Sequence, residues 1–154
     1  ILMANIKKIF WLISISLISA TMFCSSINAH SQTEDPIIQA RMMAMKEIAQ
    51  CLKTLSQINR GMKPFDLNEI KELLKKIEDH SAEVPDLFRI YATDPFTEAA
   101  SEIWSNFNDF TILAEDMKIV ASQSLSTVRT QEQIGDIIKD FGKTCKSCHS
   151  KYRN

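Results

Sequence analysis

After residue 35 the apolar positions recur every three or four residues, the spacing of one face of an α-helix. The first such segment opens at Asp35-Pro36, a capping residue followed by proline at the first helical position. Its inward seam reads Ile38, Arg41, Met45, Ile48, Leu52 and Leu55, with Cys51 beside the seam rather than on it. It closes at Asn59-Arg60-Gly61, where glycine can take the left-handed conformation that ends helices. The second segment opens at Asp66, with Glu69 at the spacing of a capping box. Its seam is Leu67, Ile70, Leu74, Ile77, Ser81 and Val84, and Pro85 is predicted to stop it, because proline has no amide hydrogen to donate. An irregular stretch follows from Pro85 to about Ala100. The third segment carries Ile103, Phe107, Phe110, Ala114, Met117, Ala121 and Leu125 on one face, and Ser126 to Thr130 reads as a turn. The fourth, capped by Thr130 and Gln133, carries Ile134, Ile137, Ile138, Phe141, Cys145, Cys148 and Tyr152.

Four amphipathic helices bury their stripes most simply against one another, so the predicted fold is all-α, an antiparallel up-down-up-down four-helix bundle. Composition agrees: three glycines and four prolines are too few breakers for a β-rich fold with many tight turns. The chain is 45% apolar and 24% charged, which is ordinary for a globular domain. A net charge of −1 does not support a strongly basic nucleic-acid binder. No phosphate-binding glycine loop, Ser-His-Asp order or internal repeat is present.

The start of the chain follows a different pattern. Lys7 and Lys8 precede an apolar run from Ile9 to Phe23, and no acid occurs before Glu34. This pattern predicts a signal peptide over residues 1–29, removed after Ala29 in Ile27-Asn28-Ala29, and a mature domain over residues 30–154. A retained anchor is the alternative, but the run is about 15 residues and a bilayer span needs roughly 20. Cys24 invites a lipid-attachment reading, which the bulky Phe23 before it disfavours. Export predicts a periplasmic protein with no membrane span in its mature form and a charge of −3. Free thiols are unusual in that compartment, so each remaining cysteine needs an explanation.

The fourth segment reads Cys145-Lys146-Ser147-Cys148-His149, the C-x-x-C-H spacing of covalent c-type haem attachment. Two thiols form thioethers with the haem vinyl groups, and the histidine offers an imidazole nitrogen to the iron. On a helix, positions 145, 148 and 149 share one face. That face continues the apolar stripe, so one covalently bound haem c, with its iron, would enter the bundle. A redox dithiol, a disulfide or half of a zinc site uses the same cysteine pair. The first expects a βαβ setting, and a zinc site needs more ligands than the isolated His80 and Cys51 supply.

A single histidine leaves the sixth iron position open, and methionine is a common occupant. Among Met42, Met43 and Met45 only Met45 lies on the seam, which makes it the candidate sixth ligand; plain core packing is the other reading. Arg41 stands one turn earlier. A cation there needs an anion or a route to solvent, and a haem propionate would serve as the anion.

These residues resemble the cytochrome c′ family, itself a standard example of the four-helix bundle. The resemblance covers nearly all of the predicted mature chain. It rests on the late C-x-x-C-H followed by Lys151-Tyr152-Arg153, on Glu102-Ile103-Trp104, and on Gly61 preceding Phe65-Asp66. It implies a monohaem c-type cytochrome, not an enzyme, whose partners are redox proteins and which is a monomer or a homodimer. It also implies that the sixth-side residue comes from the first helix. Methionine there implies a low-spin electron carrier; leucine or another apolar residue implies a five-coordinate, high-spin haem that binds NO or CO. The matching position is Met45. The resemblance further implies haem-propionate contacts for Arg41 and Arg153.

Charge adds one feature. Lys139 to Asn154 holds five cations and one acid, a net of +4 that leaves −7 on the rest of the mature chain. This end is either a docking patch for an acidic redox partner or a solvated helix end whose cations suit the macrodipole. Among the remaining residues, Cys51 reads as a small buried hydrophobe, with an intermolecular disulfide as the alternative. Trp104, Phe107 and Phe110 read as core or haem-packing aromatics, and His80 as a surface or helix-end residue. Gly142, one turn before Cys145, would let a haem plane approach the backbone.

Overall fold

Asp35 accepts hydrogen bonds from the N–H groups of Ile37 (2.7 Å) and Ile38 (3.3 Å), and the helix it caps, α1, runs Pro36–Asn59. A computed structural model describes residues 33–154 of the chain. The signal peptide expected over 1–29 and Cys24 lie outside the described residues. Helix α1 ends in a Schellman turn: Gly61 takes φ +69°, its N–H reaches Ile58 O, and the Met62 N–H reaches Gln57 O. Helix α2 runs Leu67–Leu87, α3 Phe107–Thr127 and α4 Ile134–Tyr152, with a single helical turn at Glu102–Ser105 and a 3₁₀ turn at Gln131–Gln133. Helix α1 packs on α2 and α4, and α3 packs on α2 and α4, which closes the antiparallel four-helix bundle. No helix among the described residues is long and apolar enough to cross a membrane.

Several local expectations need correction. The buried stripe of α1 is Ile38, Arg41, Ala44, Ile48, Cys51, Thr54, Leu55 and Ile58, so Ala44 and Cys51 take the innermost places, while Met45 and Leu52 are half-buried. A bundle helix faces two neighbours at once, and residues one step off the central stripe look into the gap between them. Cys51, 4% exposed, is nonetheless the small buried hydrophobe expected of it. Asp66 caps α2 by accepting from the Asn68 and Glu69 N–H groups, but the Glu69 carboxylate pairs with Lys63 at 3.3 Å instead of closing a capping box. The third segment is interrupted at Asn106 (φ −125°, ψ 39°), and Ser124 is buried where Leu125 was expected. The Gln133 cap does form, its Oε1 accepting from the Thr130 N–H at 2.9 Å.

Pro85 does not stop α2, which continues to Leu87. A proline in the last turn forfeits one bond, and other groups hold the carbonyls beyond it. Arg41 of α1 supplies them. Its Nε donates to Leu87 O (2.9 Å), Nη1 to Ala92 O (3.0 Å) and Nη2 to Ile90 O. Its guanidinium carbon lies 4.6 Å from the Phe88 ring centroid and 5.3 Å from that of Trp104. The Trp104 Nε1–H donates to Phe88 O at 2.8 Å. Arg41 therefore meets neither an anion nor solvent in the protein itself: it is 3% exposed, and three of its N–H groups donate to neutral oxygens.

Arg41→Met leaves those three carbonyls without their donor and is expected to cost about 3 kcal/mol of folding stability, read by urea denaturation. Arg41→Lys recovers only part of this, since one ammonium cannot span three divergent acceptors.

Candidate functional site

Helix α4 is amphipathic along its length. Ile134, Ile137, Phe141 and Tyr152 are buried, Ile138, Cys145 and Cys148 half-buried, and His149 exposed. The core they meet comes in two clusters. One gathers Ile48, Leu55, Ile70, Leu74, Ile77 and Phe141, and Cys145 packs against it. The other gathers Val84, Phe88, Ile103, Phe110, Ala114 and Tyr152, and Cys148 packs against that one, together with Met45, Trp104 and Phe107. The two cysteines thus lie on one helical face yet meet different clusters.

Both thiols are free, as is that of Cys51. Burial pushes the Cys145 thiol up, and burial with the nearby Cys145 and Asp109 charges pushes Cys148 up to about 11. At neutral pH the pair is therefore uncharged. Desolvation, then the Arg153 cation, holds the His149 imidazole below its ordinary value, with Glu98 opposing. The histidine is neutral with a nitrogen lone pair to offer. Among the described residues, no three of His, Cys, Asp or Glu stand together as an ion-binding group, so the zinc alternative finds no further ligands. Two uncharged, unbridged thiols on an apolar face, followed by a neutral imidazole, are a donor set that fits a covalently attached haem.

The C-terminal end of α4 is pinned by contacts to residues distant in sequence. Ala100 N–H donates to Tyr152 O (3.0 Å) and Asn154 N–H to Glu98 O (2.9 Å). The Arg153 Nε donates to the Glu98 carboxylate at 2.7 Å. The Tyr152 hydroxyl donates to Asp109 Oδ2 at 2.6 Å, and the Lys151 ammonium approaches the same oxygen at 3.1 Å. Glu98 and Asp109 lie more than 40 residues away along the chain, and no local pattern announces such partners.

The other candidates fall as follows. Met42 and Met43 are exposed, and Met45 alone of the three packs inward. Phe110 is buried, with Trp104 and Phe107 half-buried beside it. A Cβ at Gly142 would meet nothing within 4 Å, so that face of α4 is open. His80 is half-buried within α2 rather than at its end, its Nδ1 3.4 Å from Glu83. The basic end is partly neutralised: Lys143 pairs with Asp140, Lys151 with Asp109 and Arg153 with Glu98.

Residues 36–153 match the family model described as Cytochrome C'. The chain is 31% identical over 117 residues to cytochrome c-556 of Agrobacterium fabrum, covering 75% of this chain and 80% of that one. It is 26% identical over 140 residues to cytochrome c′ of Rhodopseudomonas palustris, covering 90% of this chain and 94% of that one. In three dimensions it is similar to oxidised R. palustris cytochrome c556, with a TM-score of 0.70, 19% identity, and coverage of 77% of this chain and 96% of that one. This last likeness speaks to the fold alone.

With either thiol removed, as in Cys145→Ala or Cys148→Ala, haem is expected to remain on the denatured chain through one thioether. The double variant is expected to release all of it. Haem staining after denaturing electrophoresis, with intact mass, checks both.

Proposed function

The chain belongs to the cytochrome c′ family, and on that premise we propose that it passes single electrons in the periplasm with its iron held between His149 and Met45. It is a monohaem electron-carrying protein, and its cofactor is covalently attached haem c with iron. Cys145 and Cys148 are assigned the thioether bonds, His149 the proximal ligation and Met45 the sixth position. The haem supplies a one-electron ferric/ferrous couple.

The observation that carries this reading is the placement of Met45. It is the one methionine of α1 packed inward, and it packs against the same cluster as Cys148, across the bundle from α4. Ligands on two helices of a packed bundle change position little when the iron gains or loses an electron. No side chain in this reading performs proton or group transfer on a substrate, so we assign it no enzymatic activity. Arg41 spends three of its five N–H donors on backbone carbonyls, which leaves two for a haem propionate. Arg153, already paired with Glu98, is assigned the second contact. The periplasmic location rests on the export pattern of residues 1–29.

We further assign the redox partner an acidic docking face. Lys139 and Lys146 lie exposed on α4, and neither has an ion pair among the described residues. Such charges act chiefly on association rate.

Met45→Leu is expected to convert a low-spin haem into a high-spin one that binds CO or NO readily, with loss of the far-red charge-transfer band of a methionine–iron bond in the ferric spectrum. A wild-type protein that already has a high-spin, CO-responsive spectrum would overturn the Met45 assignment in favour of a five-coordinate, gas-binding haem. Lys139→Glu with Lys146→Glu is expected to slow electron transfer with an acidic partner several-fold at low salt. The difference should fade toward ~1 M salt, where the Debye length falls to about 3 Å; stopped-flow kinetics across ionic strength reads it.

A further inference from the structure

Asp109 stands in the first turn of α3, and its carboxylate is fixed by two groups from the last turn of α4. The Tyr152 hydroxyl donates to it at 2.6 Å, and Lys151 approaches at 3.1 Å. Tyr152 is itself held firmly. It is 6% exposed, its ring meets Phe110 edge-on at 5.5 Å, and its carbonyl accepts from the Ala100 N–H at 3.0 Å. It follows Cys148 by four residues and so shares its helical face, and both pack in the same apolar cluster. A surface carboxylate on a free side chain is averaged over rotamers and screened by water. This one is anchored by the hydroxyl of a buried tyrosine, next to the turn that carries Cys148 and His149. The Lys151–Asp109 pair, like the neighbouring Arg153–Glu98 pair, carries both signs, but the Asp109 carboxylate also accepts from a tyrosine hydroxyl.

We propose that Asp109, held in place by Tyr152, is a positioning residue whose fixed negative charge biases the haem iron toward its ferric state. The inference rests on reading the chain as a monohaem electron carrier. Reduction brings one electron from a one-electron redox protein, lowers the charge at the iron by one unit, and neither makes nor breaks a bond. A fixed anion therefore favours the oxidised side of the couple, and Lys151 offsets part of that preference.

The test is spectroelectrochemical titration of the haem-loaded protein and four variants. Asp109→Asn keeps an acceptor for the tyrosine hydroxyl and removes the charge; at a fixed poise the ferric:ferrous ratio is expected to fall about threefold. Asp109→Glu is expected to restore most of it. Tyr152→Phe, which frees the carboxylate to swing into water, shifts the ratio the same way by less. Lys151→Ala shifts it in the opposite direction. Absorption spectra of the variants should match the wild type, since the iron ligands are untouched. An Asp109→Asn ratio equal to wild type overturns the proposal. So does an Asp109→Glu shift as large as that of Asp109→Asn, which would mark a packing effect, or a Lys151→Ala shift toward ferrous. Should Tyr152→Phe fail to fold, the two Asp109 variants and Lys151→Ala still decide. A high-spin wild-type spectrum would remove the Met45 assignment alone, because the Asp109→Asn comparison reads charge at the iron whatever its sixth ligand.

Discussion

A guanidinium buried in a helix bundle must be surrounded by oxygen, and meeting that demand at Arg41 joins three parts of this molecule. The oxygens come from the last turn of α2 and the loop after it, where a helix leaves carbonyls without intrahelical partners and presents the negative end of its dipole. One side chain of α1 thereby ends α2, shapes the loop through Ala92 and lies against the Phe88 and Trp104 rings. Those rings belong to the apolar cluster against which Met45 and Cys148 both pack. That cluster is therefore buttressed by a cation from another helix.

The two core clusters divide the work of the fold. The first, rich in isoleucine and leucine, lies where all four helices meet, an ordinary bundle interior. The second is aromatic and is fed by the loop and the single turn before α3 as well as by helices. Helix α4 crosses from one to the other, and its two half-buried thiols fall on either side of the crossing. Its far end is tied to residues 98–100 by backbone bonds and to Asp109 by the Tyr152 hydroxyl. The helix that bears the C-x-x-C-H motif is thus held by both clusters and at its far end.

Much of this was legible along the chain because the relevant physics is local. The caps at Asp35, Gly61 and Gln133 each involve residues within a few positions of one another, and all three form as read. The C-x-x-C-H spacing is local too, so Cys145, Cys148 and His149 needed no tertiary information to be singled out. The misreadings share the opposite character. Ala44 and Cys51 displaced Met45 and Leu52 from the centre of the α1 stripe because the stripe's centre depends on where the neighbouring helices stand. Glu69 chose Lys63 over its own helix terminus, a competition between two surface interactions of similar strength. Asn106 interrupts the third segment although the apolar spacing runs straight through it.

The basic C-terminal segment shows where the boundary lies. Its cations are plain in the sequence, but three of them meet acids of the same chain, two of those acids being distant Glu98 and Asp109. The four helical stripes, the ends of most helices and the thiol–thiol–imidazole set follow from spacings within one or two turns and so can be read along the chain. Tertiary packing alone brings Arg41 to the end of α2, sets Met45 and Cys148 against one cluster and places Asp109 on the Tyr152 hydroxyl. Those pairings form between segments brought together by burying all four stripes at once, and the partner of a polar group in such an interior is chosen by which oxygen or carboxylate the packing places within about 3 Å of it.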